Sequence, residues 1–181
     1  MMWLLLLAVV FLAFILVLRQ AVRGLVADIA DPEQLLRRTQ PIDVAAFSNL
    51  LRTQDDDYLR ERLPFHAFAR VRRSRCLAAL EYVRTIAQNS AILVRLGQAA
   101  RTNEDARVRV AAEQLVRLAV QTRVYALAAE VQLIAASLVP WWRPTLGVVV
   151  RAYPSTCSAV DSIVRLQRPE LAGRIHASLI A

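Results

Sequence analysis

Residues 64–100 read PFHAFARVRRSRCLAALEYVRTIAQNSAILVRLGQAA, and this stretch decides the fold. No helix-breaking residue interrupts it between Pro64 and Gly97. At 100° per residue, apolar residues collect on one side and polar residues on the other, which predicts a long amphipathic helix. The apolar side holds Phe65, Phe68, Val71, Ala79, Tyr82, Val83, Ile86, Leu93, Val94 and Gly97, and the polar side holds His66, Arg70, Arg73, Glu81, Arg84, Gln88 and Arg95.

A second long helix is predicted over residues 104–139, after a break at Thr102 and Asn103. From Val124 onward its polar face almost disappears, which predicts that this half is buried nearly all round or touches lipid, and core burial is favoured. A second membrane span is disfavoured, because this stretch contains Glu130 and is closed by Pro140. The apolar face of this helix holds Val108, Ala111, Ala112, Leu115, Leu118, Ala119, Ala126 and Leu133.

Shorter helices are predicted on both sides of this pair, and no stretch alternates as a strand does. Asp43 can cap a helix from Val44, whereas Pro154 and Pro169 are expected to break the C-terminal part. The predicted fold class is all-α: an N-terminal transmembrane helix and then a helical bundle built on a long antiparallel hairpin. Its predicted parts are an anchor (1–23), connecting helices (24–63), the hairpin (64–139) and short C-terminal helices (140–181).

The anchor is predicted from residues 1–18, MMWLLLLAVVFLAFILVL, which contain no charge, proline or glycine. A helix of that length spans about 27 Å, which is the lower end of what crosses the hydrocarbon core. No basic region precedes the run, so an uncleaved anchor is favoured over a secretory signal peptide. Arg19 and Arg23 follow it directly, and the positive-inside rule then places the N-terminus outside. We expect a single-pass protein of the inner (plasma) membrane with a cytoplasmic bundle.

Arginine alone gives the chain its net charge of +8, since it contains no lysine. A basic excess attracts anionic lipid and nucleic acid alike, and a membrane anchor favours the lipid. Arg70, Arg73 and Arg84 are the candidate residues for binding anionic headgroups; the alternative is an ordinary solvated helix face. Trp141 and Trp142 form a pair typical of a membrane interface.

No residue pattern points to catalysis, to a cofactor or to a metal. Cys76 and Cys157 lie in apolar contexts and are predicted to be buried thiols, while His66 and His176 each stand alone. Asp55–Asp57 lack the spacing of a calcium loop and are interpreted as part of a helix start. The expected function is a non-enzymatic membrane-anchored scaffold or complex subunit with an unknown protein partner; the alternative is a membrane-tethered nucleic-acid-binding module.

Two arginines, Arg72 and Arg75, fall on the apolar side of the first long helix, and Glu130 falls in the apolar stripe of the second. In a hairpin that turns near Thr102 and Asn103, two residues that face each other at the same height along the two helices have numbers that add to about 205. This predicts a buried ion pair between Arg75 and Glu130, with Arg72 as a second donor. The alternatives are that the arginines reach past the helix edge to solvent or pair with Asp55–Asp57.

Overall fold

The computed structural model describes residues 38–180. The helices are α1 (Val44–Leu50), α2 (Thr53–Arg62), α3 (Phe65–Ala100), α4 (Ala106–Leu138), α5 (Gly147–Gln167), a 3₁₀ turn (Pro169–Leu171) and α6 (Ala172–Leu179). The predicted all-α class and helical bundle are confirmed for these residues. The predicted anchor (1–23) and the first part of the predicted connecting helices (24–37) lie outside the described residues.

The long helices α3 and α4 pack along each other in opposite directions. Residues 101–105 connect them, and the Asp105 carboxylate caps α4 by accepting from the backbone N–H of Arg107 at 2.8 Å. Both helices agree with their predicted ranges to within two residues. Within residues 38–180, no helix combines the length and the apolar character that a membrane span requires.

The helices α3 and α4 approach each other closely at Gly97. A Cβ atom on this glycine would lie 2.6 Å from Val116 Cγ2 and 3.2 Å from the Ala112 carbonyl oxygen. The absence of a side chain is therefore what allows the two backbones to meet there.

The third long helix, α5, packs mainly on α4 and completes the core. Leu93, Leu115 and Ile163, one from each long helix, are fully buried. The Thr122 and Thr156 hydroxyls, 2.7 Å apart, form a buried hydrogen bond between α4 and α5.

The prediction that Pro154 ends a helix is wrong, because α5 continues through it. Tyr153, Thr156 and Cys157 are all buried around this proline. The burial of their side chains offsets the hydrogen bond that proline removes from the helix.

A polar cluster joins the start and the end of the described chain. Asn89 Nδ2 donates to the Gln40 carbonyl and to the Tyr153 hydroxyl, both at 2.8 Å, and its Oδ1 accepts from Gln40 N–H at 3.2 Å. The Leu179 carbonyl accepts from Tyr153 Oη and from Ile42 N–H. Residues 40–42 are thus held against the middle of α3 and the end of α6.

At the N-terminal end of α3 the predicted apolar face is only partly buried: Phe68 is buried as predicted, whereas Phe65 is 67% exposed and Val71 is also exposed. The Trp142 carbonyl lies against Arg72, beyond the last residue of α4. The N-terminal end of α3 therefore extends past α4, and Phe65 and Val71 remain exposed there.

Candidate functional site

Glu130 is buried, as predicted, but its partner is Arg84 rather than Arg75. Arg84 Nε donates to Glu130 Oε1 at 3.1 Å and Arg84 Nη1 donates to Glu81 Oε1 at 3.3 Å. Burial raises the pKa of the Glu130 carboxyl above its ordinary value, and the Arg84 guanidinium opposes that shift. The predicted pair of Arg75 with Glu130 is wrong.

The error lies in how far the hairpin connection extends. The contact pairs Arg84–Glu130 and Arg101–Glu113 have residue numbers that add to 214, and the close approach of Gly97 to Val116 adds to 213. The connection between the helices continues past the end of α3, so α4 begins beyond that end. The residue of α3 that lies level with Glu130 is therefore Arg84, nine residues and about 13 Å along the helix from the predicted Arg75.

Arg72 and Arg75 pair with the acidic start of α2, which was the alternative prediction. Arg72 Nη1 donates to Asp56 Oδ2, and Arg75 contacts Asp55 and Asp56 at 3.4 Å each. Arg75 also donates to the carbonyl of Leu50 at 3.1 Å. Two guanidinium groups thus share the Asp56 carboxylate.

The same cluster holds the segment that follows α4. Arg72 Nη2 donates to the Trp142 carbonyl at 2.5 Å, and Arg143 Nη2 donates to Asp57 Oδ1 at 2.5 Å. Asp55–Asp57 lie in the first turns of α2 and extend from there toward arginines of α3 and of the segment after α4. Within residues 38–180, no group of three His, Cys, Asp or Glu side chains is placed to hold a metal ion.

Of the three arginines predicted to bind headgroups, Arg70 and Arg73 are exposed on the first turns of α3. Arg84 differs, because its guanidinium is engaged by Glu81 and Glu130. It lies in the middle of the helix, more than a turn from the other two, so the structure does not bring the three together.

We call the end of the bundle opposite the hairpin connection, residues 52–75 and 138–151, the open end. Trp141 is 73% exposed, Leu138 is 65% exposed, and Trp142, Tyr58 and Phe65 are exposed as well. The Arg62 guanidinium lies 4.8 Å above the Tyr58 ring. These segments contain nine arginines and four acidic residues, so most of the positive excess of the described chain lies at this end.

Both cysteines are buried and unpaired, as predicted. Burial raises the pKa of the Cys157 thiol to about 12 and also raises that of Cys76. Because the thiolate is the reactive form, neither cysteine is placed for nucleophilic chemistry.

A cleft at the open end brings together residues that the sequence analysis missed. It measures about 690 Å³, and its lining includes Arg52, Arg75, Arg143 and Arg151 together with Gly147. These arginines come from three separate parts of the chain, the α1–α2 junction, α3 and residues 143–151, and no local spacing in the sequence relates the three parts.

Comparisons with protein-family models, with curated proteins and with solved structures found no match for this chain.

Proposed function

We propose that this chain is a single-pass membrane protein whose bundle is a non-enzymatic scaffold, or a subunit of a larger membrane-associated complex, and that the open end contacts anionic lipid. The main observation that supports this proposal is that the exposed residues Trp141 and Trp142 lie at the most basic end of the bundle. Tryptophan rings favour the headgroup region, and arginines are attracted to an anionic leaflet.

The anchor part of this proposal is supported by the composition of residues 1–18 and by the arginines that follow them. In this arrangement the N-terminus lies outside and the bundle is cytoplasmic. Protease added to sealed spheroplasts should leave the bundle intact, because the membrane shields it. Digestion of everything after Arg23 would contradict the orientation.

The geometry of the bundle is compatible with contact between the open end and the membrane. Gln40 is bonded to Asn89, and Arg72 lies seventeen residues earlier in α3, about 25 Å along the helix axis. Fourteen residues separate the predicted anchor from residue 38, and a chain of that length reaches at most about 50 Å. The tether is therefore long enough when part of it is extended, whereas fourteen fully helical residues would reach about 21 Å and fall short.

The test uses the full chain with Trp3→Phe, which leaves Trp141 and Trp142 as the two tryptophans. It is reconstituted into bilayers that contain lipids brominated near the headgroup, with or without anionic lipid. We expect stronger quenching of tryptophan fluorescence in the anionic bilayer, because contact there is held by the arginines. Equal, weak quenching in both bilayers would contradict the proposed contact.

Charge reversal identifies the residues responsible. Arg70→Glu with Arg73→Glu should weaken the attraction by about 1 kcal/mol per charge or more and lower the quenching. Arg117→Glu with Arg165→Glu changes the net charge equally at exposed positions near the other end of the bundle. If this control lowers the quenching equally, only the net charge of the protein matters.

The alternative, a tethered nucleic-acid-binding module, draws on the same arginines because phosphate backbones attract them too. Titration of the reconstituted chain with RNA separates the two. Saturable RNA binding that the Arg70→Glu, Arg73→Glu variant abolishes would favour the alternative over the lipid contact.

A further inference from the structure

The cleft at the open end is enclosed by four parts of the chain: the α1–α2 junction, the N-terminal half of α3, Leu133 of α4, and residues 143–151 at the start of α5. Because all of its lining residues fall within positions 48–151, an inference about the cleft does not rest on the anchor or on the membrane contact.

Positive charge dominates the lining of this cleft. It contains five arginines and one carboxylate, that of Asp56. Arg72 and Arg75 are engaged by Asp56, and Arg143 is engaged by Asp57. In the described part of the chain, the guanidinium groups of Arg52 and Arg151 have no acidic partner. Two positive charges at the cleft are therefore uncompensated.

The N-terminus of α5 opens into the same space. Its N-cap residue, Leu146, supplies no side-chain acceptor, and neither Gly147 nor Val148 donates its backbone N–H within the described residues. Arg151 lies over this first turn, since a Cβ on Gly147 would be 3.4 Å from Arg151 Nη1. One guanidinium group and two free N–H donors thus lie next to each other.

Arg72 provides a second and independent indication that an anion belongs here. It is 94% buried, since its exposed fraction is 6%, and its Nε donates to no acceptor among the described residues. Its other two nitrogens are bonded, but Asp56 is shared with Arg75. Arg75 is also paired with Asp55, so what Arg72 lacks is an acceptor for its buried Nε, and an anion in the adjoining cleft would stabilise this guanidinium electrostatically.

We propose that this cleft binds a phosphate group, held by Arg52, Arg151 and the backbone N–H groups of Gly147 and Val148. The planar guanidinium fork matches the oxygens of a phosphate, and a helix N-terminus presents N–H donors to the same oxygens. The phosphate is that of a soluble ligand or of a lipid headgroup, and the experiment distinguishes these two sources.

The test measures the rate at which phenylglyoxal modifies individual arginines of the full chain in zwitterionic nanodiscs, read by mass spectrometry. Inorganic phosphate, compared with chloride at equal ionic strength, should slow the modification of Arg52 and Arg151 in a saturable manner. Exposed Arg117 is the internal control and should react at an unchanged rate. Arg151→Gln should weaken the protection of Arg52 by about tenfold, because a charge-assisted contact is lost.

A second arm replaces free phosphate with nanodiscs that contain phosphatidic acid. Protection of Arg52 and Arg151 in this arm identifies the lipid as a source, whereas protection by inorganic phosphate alone identifies a soluble ligand. No protection in either arm, or equal protection of Arg117, would overturn the proposal. Full protection of Arg52 in the Arg151→Gln variant would likewise overturn the assigned residues.

Discussion

Arg72 and Glu130 are the two charged residues that the described part of the bundle buries, and their surroundings differ. Arg72 contacts a carboxylate and a carbonyl, whereas the ionised partner of Glu130 is a half-exposed arginine. Burial therefore costs Glu130 more than its hydrogen bond returns, and its pKa is raised.

This raised pKa gives the bundle a pH dependence of known sign. Between the ordinary value of 4.5 and the higher native value, the folded state holds a proton that the unfolded state has lost, so the free energy of unfolding falls as pH rises. Glu130→Gln keeps an acceptor for Arg84 and removes this penalty. We expect the Tm of the variant, relative to the wild type, to rise between acidic and neutral pH, measured by circular dichroism in uncharged detergent.

Glu113→Gln is the matched control for this measurement, because Glu113 is exposed and lies 3.9 Å from its arginine partner. Its Tm difference from the wild type should not change with pH in the same way. A Glu130→Gln difference that falls with rising pH would contradict the assignment.

The cysteines give a second prediction at this scale. Cys157 is fully buried and its pKa of about 12 leaves almost no thiolate at neutral pH. It should resist thiol reagents in the native protein and react after denaturation, as followed by labelling with 5,5′-dithiobis(2-nitrobenzoate). Fast labelling of native Cys157 would show that α5 opens readily.

Residue partners were the least predictable feature of this chain. That Arg72, Arg75 and Glu130 need partners follows from their places in apolar stripes, and the alternative partners of the arginines were correctly identified. Which carboxylate meets which arginine depends on the level of one helix against the other, and the conformation of residues 101–105 sets that level. The apolar periodicity of each helix does not determine how the two helices are aligned along their axes.

At the scale of elements, the contact at Gly97 fixes how closely α3 and α4 approach. Gly97→Ala places a methyl group 2.6 Å from Val116 Cγ2, so the Val116 side chain must move or the helices must separate. Overpacking of this kind costs about 1–3 kcal/mol, against less than about 1 kcal/mol gained in helix propensity. We expect a lower Tm, partly restored by adding Val116→Ala.

Gly173→Ala is the control for the change at Gly97. It also lies in a helix, but nothing lies within 4 Å of the added Cβ. Its Tm should stay equal or rise slightly because alanine favours the helix. Equal destabilisation by both substitutions would show that the contact with Val116 is not the cause.

The contact of Asn89 with Tyr153 leads to a prediction about the segment before α1. Tyr153→Phe removes the hydroxyl that accepts from Asn89 and donates to Leu179, which should cost about 1–2 kcal/mol. We expect faster hydrogen exchange at the Ile42 amide than in the wild type. Exchange at Leu115, a buried residue inside α4, should change only as much as the global stability does.

The ranges of the long helices could be predicted because apolar periodicity, Pro64, Pro140 and the cap near Asp105 all indicate the same boundaries. The continuation of α5 through Pro154 could not. A proline lowers helix propensity locally, whereas the burial of Tyr153 and Cys157 that outweighs it arises only when α5 meets α4.

For the whole molecule, the distribution of charge matters more than its sum. The open end carries most of the positive excess of the described chain, together with the exposed tryptophans. The basic composition and the tryptophan pair were visible in the sequence. Their position at one end, and the cleft between them, follow from the way α2 and the start of α5 fold against α3.

The attachment of residues 40–42 to the middle of α3 also determines how the bundle would carry a mechanical load. Tension that arrives along the chain at residue 38 meets the contact of Thr39 with Ser178 of α6, then the bonds between Gln40 and Asn89, and then that between Ile42 and Leu179. The force then acts across the axis of α3 and on α6, and the two ends of the hairpin bear none of it directly. A bundle that is attached at its side in this way resists stepwise separation of its helices from one end. When it unfolds under load, its helices slide or separate together.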